Sequence, residues 1–184
     1  IYFRINNSMI KIYDGKFDKR FASELASKLI ENPWSATNVA NRYSWPYRET
    51  GSHRLLGQIY FNNGIVNSKI NDEKLTQTLI DAFQHIQNIC EKEMQLVEIC
   101  SNLQFKGMDG TLHKDGTKDQ YAFILMLCNE EVENIGGEFI HIKRKISFKH
   151  GRLIQITASD VHKALSFTKP HIARLSVKWV GKFK

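Results

Sequence analysis

The sequence predicts a mostly-β domain with flanking helices (α+β), a sandwich or jelly roll braced by two N-terminal helices on the outside of one sheet. Two amphipathic stretches precede residue 94, and from residue 96 onward short apolar segments alternate with turn residues. Strands this numerous and closely spaced favour a jelly roll over βαβ units. The 184 residues suffice for one domain with a core. We therefore expect a single domain over 1–184, with helical support over about 9–94 and a β core over about 96–182.

The first predicted helix covers residues 17–31, where large apolar residues recur at steps of four: Phe17, Phe21, Leu25 and Leu29. Asn32-Pro33 ends this helix, because a residue before proline is biased away from helical geometry. The second predicted helix begins at Asn71 or Asp72, either of which can cap it. Its apolar stripe consists of Leu75, Leu79, Phe83, Ile86 and Cys90.

Residues 34–57, between the helices, are polar and rich in turn signals, yet they contain four large aromatic residues: Trp34, Tyr43, Trp45 and Tyr47. Two interpretations remain open for this segment. It is either a loop packed by its own aromatic side chains or a flap over a binding site.

Six segments rich in β-branched and aromatic residues form the predicted β core. They are "LVEICSNLQF", "YAFILMLCN", "GGEFIHI", "RLIQITAS", "KALSF" and "ARLSVKWV". Gly136-Gly137 opens the third of these segments and predicts a tight turn or bulge before a strand.

Composition and charge exclude several classes of protein. No apolar run approaches the roughly 20 residues that a membrane span needs, and we expect a cytoplasmic protein whose three cysteines are reduced. Residues 1–8 precede Met9 and are left out of the fold prediction. The net charge of +7 permits anionic partners, but the basic residues are scattered, so a dedicated nucleic-acid module is not favoured.

The pair His113 and Asp115, in "GTLHKDGT", is the first candidate for chemistry. Residues i and i+2 of an extended segment point to the same side, so both side chains can ligate one ion. Chance alone produces H-x-D about 0.3 times in a chain of this composition, so the motif needs a third ligand. Taken alone, the pair is better explained by a turn in which Asp115 caps local amides.

His162 and Arg174 extend the candidate site. His162 opens a strand-like segment, and Arg174 follows twelve positions later. Alternation in "ARLSVKWV" places Arg174, Ser176 and Lys178 on one side of the strand. A buried guanidinium beside a hydroxyl is suited to bind a carboxylate in a bidentate manner. His171 is a rival third ligand, but it follows Lys169-Pro170, which is typical of a turn.

Five segments occur in the order "HKD", "FILMLCNEE", "IGGEFIHI", "RLIQITASDVH" and "HIARLSV". In this order, residues 96–182 resemble the Fe(II)- and 2-oxoglutarate-dependent dioxygenases, especially their prolyl 4-hydroxylase-like branch. The resemblance implies a cupin-like double-stranded β-helix in which Fe(II) is held by His113, Asp115 and His162, a facial triad with open positions. It also implies that Arg174 pairs with the distal carboxylate of 2-oxoglutarate and that Ser176 completes an R-x-S pattern.

The implied reaction consumes 2-oxoglutarate and O2, releases succinate and CO2, and hydroxylates a substrate. Because related halogenases replace the carboxylate with a small residue, Asp115 favours hydroxylation or another oxidation over halogenation. Many members place a tyrosine nine residues before the first histidine, where this chain has Gln104 as a possible cofactor contact. Tyr121 is the alternative contact, or else a buried structural tyrosine. Arg174 replaces the lysine of collagen-type enzymes and argues against that subgroup.

The substrate class stays open at this stage. By analogy, a prolyl or other protein residue comes first, and a small molecule second. Two alternatives are a non-catalytic, metal-binding cupin-like sensing module and a nucleic-acid-modifying oxygenase. A zinc hydrolase can also use two histidines and an aspartate, but it has no need for an arginine that binds a carboxylate.

Overall fold

Two antiparallel β-sheets and two helices make up the computed structural model, which describes residues 10–39, 54–70, 72–130, 132–142 and 144–183. Residues 1–8, Asn71 and three of the four aromatic residues predicted for a loop or flap lie outside the described residues: Tyr43, Trp45 and Tyr47. The helices are α1 (Lys19–Glu31) and α2 (Glu73–Cys90). The strands are β1 (Lys11–Tyr13), β2 (Ser35–Val39), β3 (Arg54–Asn62), β4 (Ile65–Val66), β5 (Met94–Gln104), β6 (Gln120–Cys128), β7 (Phe139–His141), β8 (Arg144–Ile146), β9 (Leu153–Thr157), β10 (His162–Ala164) and β11 (Arg174–Phe183).

Both predicted helices are confirmed, and their ends follow from local chemistry. The Asp18 carboxylate accepts a hydrogen bond from Arg20 N and caps α1, so Phe17 lies before the helix. Asp72 caps α2 by accepting from Leu75 N. Helix α2 ends at Cys90, and the C-cap residue Glu91 has a left-handed φ of 53°.

The larger sheet has the strand order β1-β9-β6-β11-β5-β3-β2, and β4 pairs with β3. The smaller sheet has the order β10-β7-β8. Alternation along β11 divides the larger sheet into two faces. Leu175, Val177 and Trp179 pack against the helices, and the Trp179 indole donates to Leu79 O. The helices therefore brace one sheet from outside, as predicted.

A second apolar cluster fills the space between the two sheets. Ile124 and Met126 of the larger sheet belong to this cluster together with Phe139 and Ile146 of the smaller one. The architecture agrees with the predicted double-stranded β-helix. At one end of this layer the inner face becomes polar, and that is where the candidate site lies.

The N-terminal part of the chain contains more β structure than predicted. Strands β1 to β4 all belong to the larger sheet, so this part is not helical support alone. Strand β1 is three residues long, which is too short to show a period. Strand β3 has a register shift between Ile59 and Phe61, which breaks its alternation. Segment 34–57 thus begins as β2 and ends within β3.

No helix in the described ranges is long and apolar enough to cross a membrane. The cytoplasmic location stays a prediction.

Candidate metal and cofactor site

Backbone pairing brings His113 and His162 together although 49 positions separate them in the sequence. His113 N donates to His162 O at 2.9 Å, and His162 N donates to His113 O at 3.0 Å. The amides of Asp115 and Gly116 both donate to Ala158 O, directly after β9. The loop that carries the H-x-D motif is therefore attached to the strand that carries the second histidine.

Each histidine is oriented by the carbonyl two residues before it. His113 Nδ1 lies 2.8 Å from Thr111 O, and His162 Nδ1 lies 2.9 Å from Asp160 O. A carbonyl only accepts hydrogen bonds, so Nδ1 carries the proton in both rings. Nε2 is then the atom that can bind a metal, and the ring centroids are 4.4 Å apart.

Asp115 completes a cluster whose ligand atoms all lie within 4.8 Å of one another. Its Oδ2 is 3.1 Å from His162 Nε2, and its Oδ1 is 3.7 Å from His113 Nε2. The side chain is only 6% exposed, and Oδ2 makes no hydrogen bond within the part of the chain that the structure describes. Two imidazoles and one carboxylate suit Fe(II), and a cation bound here would satisfy the buried oxygen.

Lys178 holds the other carboxylate oxygen, with Nζ 2.8 Å from Asp115 Oδ1. Burial alone would raise the pKa of Asp115, but attraction to the Lys178 ammonium holds it well below its usual value. Burial would likewise lower the pKa of Lys178, and attraction to Asp115 raises it well above its usual value. Asp115 is therefore a carboxylate at neutral pH, the form that binds a metal.

Arg174 lies on the same inner face of β11, four residues from Lys178, and is fully buried. Nε donates to Gly137 O at 3.0 Å, and Nη1 donates to Gln104 Oε1 at 2.9 Å. Nη2 has no hydrogen-bond partner among the described residues. Burial lowers the pKa of Arg174 to about 10, so the guanidinium stays charged at neutral pH. A carboxylate would satisfy both the charge and the remaining N–H groups.

Ser176 and Gln104, two predicted cofactor contacts, both flank Arg174. Ser176 is 5% exposed and lies between Arg174 and Lys178 on the inner face. Gln104 is opposite Arg174 in the β5 register, and its amide nitrogen donates to Met108 O at 2.7 Å. Since both ends of the Gln104 amide are engaged, Gln104 orients the guanidinium.

Tyr121, the alternative cofactor contact, is not brought to the site. It precedes Ala122 on β6, packs against Phe183 at 4.6 Å between ring centroids, and contacts the cluster beneath the helices. The prediction of a cofactor contact at Tyr121 is corrected: alternation in β6 places its ring on the outer face, as a structural tyrosine.

The remaining histidines near the motif have structural positions. His171 is exposed in the turn before β11, so it lies away from the cluster. His141 is buried, and its Nε2 lies 3.0 Å from Asp160 Oδ2. The Asp160 carboxylate thus pairs with His141, while its backbone carbonyl orients His162.

Sequence reasoning missed the ion pair between Lys178 and Asp115 and the contact between Gly137 O and Arg174. Alternation already placed Lys178 on the face of Arg174. The ion-pair partner of Lys178 depends on how the loop carrying Asp115 folds over β11, and no local sequence pattern predicts this.

Comparisons with known proteins place this geometry in context. No protein-family model and no curated protein matches the sequence. An oxidoreductase of the 2OG-Fe(II) oxygenase family from Burkholderia pseudomallei, where 2OG is 2-oxoglutarate, is similar in structure with a TM-score of 0.69. Its identity is 11%, and the match covers 94% of this chain and 84% of that one.

Two prolyl hydroxylases are similar as well. A Pseudomonas putida prolyl-4-hydroxylase matches with a TM-score of 0.61 and 13% identity, over 97% of this chain and 94% of that one. The viral collagen prolyl hydroxylase of Paramecium Bursaria Chlorella virus-1, solved with 2OG, matches with a TM-score of 0.58 and 16% identity, over 96% of this chain and 98% of that one. The chain has the fold of the 2OG-Fe(II) oxygenases. At these identities the likeness concerns the oxygenase fold, and the chemistry has to be argued from the side chains.

Proposed function

We propose that the protein is an Fe(II)- and 2-oxoglutarate-dependent oxygenase that hydroxylates its substrate and releases succinate and CO2. One observation carries the proposal: the buried Arg174 presents an Nη2 that has no partner among the described residues, on the same strand face as Lys178, which contacts Asp115 of the metal cluster. Four residues of strand span about 13 Å between Cα atoms. With long side chains reaching inward from both ends, this face suits a short diacid.

His113, Asp115 and His162 would hold the iron through two Nε2 atoms and one carboxylate oxygen. Bound Fe(II) with 2-oxoglutarate supplies the activation of O2 that a protein side chain cannot supply. Arg174 would bind the distal carboxylate of 2-oxoglutarate, oriented by Gly137 O and Gln104. Ser176 would lie beside the diacid.

The buried arginine favours an oxygenase over a metal-binding sensing module, because a metal alone needs no buried cation beside it. The substrate that we propose to test first is a prolyl or other protein residue, since two of the similar structures are prolyl hydroxylases. Small molecules form the second class. A nucleic-acid substrate would require that the protein binds DNA or RNA in a salt-sensitive manner and that the His113→Ala variant still binds it.

The test is an anaerobic titration of the Fe(II) protein with 2-oxoglutarate, followed by the metal-to-ligand charge-transfer absorption. We expect the band in the wild type and its loss in His162→Ala. His171→Ala serves as the control, because it removes an exposed imidazole outside the cluster and should leave the band intact.

Arg174 variants test the diacid site separately. Arg174→Ala should weaken 2-oxoglutarate affinity about 30-fold or more, because the distal carboxylate loses a buried charged partner. The 2-oxoglutarate affinity of Arg174→Lys should lie between those of the wild type and Arg174→Ala, since lysine keeps the charge without the bidentate geometry. Iron binding without a charge-transfer band in the wild type would favour the sensing module, and absence of iron binding would refute the proposal.

A further inference from the structure

Lys178 contacts the carboxylate of the metal cluster and also a second carboxylate, that of Glu98, which lies outside the cluster. Its Nζ lies 2.8 Å from Asp115 Oδ1 and 2.9 Å from Glu98 Oε1. The Lys178 side chain is 15% exposed, and that of Asp115 is 6% exposed. The result is a largely buried array of one ammonium between two carboxylates.

The position of this ammonium is set by two long strands. Lys178 is opposite Cys100 on β5 and Ile124 on β6, and Glu98 is opposite Val180, the next inward residue of β11. Groups on paired strands are held more precisely than groups on loops. Asp115, in contrast, lies in the loop between β5 and β6, so the strand lysine is the fixed partner and the loop carboxylate is the one it orients.

The two oxygens of Asp115 have different surroundings. Oδ1 accepts from Lys178, whereas Oδ2 lies beside His162 Nε2 and accepts no hydrogen bond from the described residues. We propose that Lys178 is a positioning residue that engages Oδ1 and so directs Asp115 to bind the metal through Oδ2 alone. This inference rests on the proposed function, because it assumes that the cluster binds a metal.

Simple charge compensation is the competing explanation, and the two differ in the sign of their prediction. An ammonium near a divalent cation repels it, so if Lys178 only neutralises Asp115, its removal should make the metal bind more tightly. If Lys178 positions Asp115, its removal should weaken metal binding, since groups that orient metal ligands typically contribute 10- to 100-fold in affinity. Without Lys178, both oxygens of Asp115 would be available to the ion, so the coordination of the ion should change as well.

The experiment is titration of the metal-free protein with Co(II), followed by the visible absorption of the bound ion. Lys178→Met should weaken Co(II) affinity about 10- to 100-fold and alter the spectrum. Lys178→Gln should weaken it less, because the amide can still donate to Oδ1 without the charge. Lys182→Met is the control: it removes a positive charge from the same strand, where Lys182 is half-exposed and pairs with Asp119, and it should leave affinity and spectrum unchanged.

Equal or tighter Co(II) binding by Lys178→Met, with the wild-type spectrum, would overturn the inference while leaving the proposed function intact. If Lys178→Met does not fold, Lys178→Gln decides: weaker binding supports positioning, and equal or tighter binding overturns it. A wild type that binds no Co(II) would remove both proposals together. A wild type that binds Co(II) but not 2-oxoglutarate would remove the oxygenase proposal alone.

Discussion

Single residues at the site are placed by contacts that sequence patterns only partly report. Alternation in β11 predicted that Arg174 and Ser176 share a face, and both lie on the inner face. The glycine pair before β7 was predicted as a tight turn, and both residues have positive φ, 88° at Gly136 and 79° at Gly137. The contact of Gly137 O with Arg174 Nε could not be predicted, because it joins residues 37 positions apart.

Gly137→Ala should destabilise the protein more than an ordinary glycine substitution. A Cβ at this residue would overlap the Phe167 ring and would also force alanine into a left-handed conformation. We expect a loss of about 2–4 kcal/mol in the free energy of unfolding, from backbone strain and overpacking together. Urea denaturation followed by circular dichroism measures it.

Gly64→Ala is the matched control for this prediction. Gly64 has a similar φ of 87°, but a Cβ there meets no atom within 4 Å, so only the backbone term of about 1 kcal/mol should appear. Equal losses of unfolding free energy in the two variants would show that the Phe167 ring moves to accommodate the Cβ and that packing does not fix the Gly137 turn.

At the scale of elements, the helices and the apolar segments bounded by turn residues were predictable, and strands without such a pattern were not. The helices and the six core segments are confirmed within a few residues, because each is an apolar run bounded by turn or capping residues; β7 and β10 are only three residues long but lie in such runs. Strands β1 and β4 are too short to show a period, and the bulge in β3 interrupts the alternation. Tyr121 was misplaced because chain separation from Asp115 does not indicate which face of β6 a residue occupies.

Strand β1 lies at the edge of the larger sheet, and Asp14, the residue after it, forms ion pairs with two basic side chains. Arg152 donates to both Asp14 oxygens, at 2.8 and 2.9 Å, and Lys149 donates at 3.2 Å. Hydrogen bonding from Arg152 is the main cause that lowers the pKa of Asp14 to about 2. A carboxyl whose pKa is lower in the folded state stabilises the fold above its unfolded pKa of about 4 and loses that contribution as the pH falls toward 2.

Asp14→Asn should therefore lower Tm at neutral pH by at most about 4 °C, since the group is partly exposed. The difference in Tm between wild type and variant should shrink as the pH falls from about 4 to about 2. Glu24→Gln is the control, because its pair with Arg20 on the surface of α1 is exposed and should contribute little. A difference in Tm that stays constant down to pH 2 would contradict the role of the Asp14 carboxylate.

At the scale of the whole molecule, the site lies where the two sheets meet. His162 belongs to the smaller sheet, Arg174 and Lys178 belong to the larger one, and the loop with His113 and Asp115 joins them. Ligands that contact both sheets should stabilise the fold as a unit. The five ordered segments predicted this convergence through resemblance, whereas the positions of the ion pairs required the folded chain.

Mn(II) together with 2-oxoglutarate should raise Tm by about 5–10 °C when the free ligand is about 100 times its Kd, because only the folded state binds it. His162→Ala should lose this increase, and His171→Ala should retain it. The measurement is a thermal scan with and without both ligands. An equal increase in His162→Ala would mean that the metal binds elsewhere.

A crystal structure of the protein with Mn(II) and 2-oxoglutarate, solved with anomalous diffraction at the manganese edge, tests the central claim most directly. We predict one anomalous peak bonded to Nε2 of His113, Nε2 of His162 and one oxygen of Asp115, with the distal carboxylate of the diacid on Arg174. A peak bonded to other side chains, or a diacid that does not contact Arg174, would contradict the account.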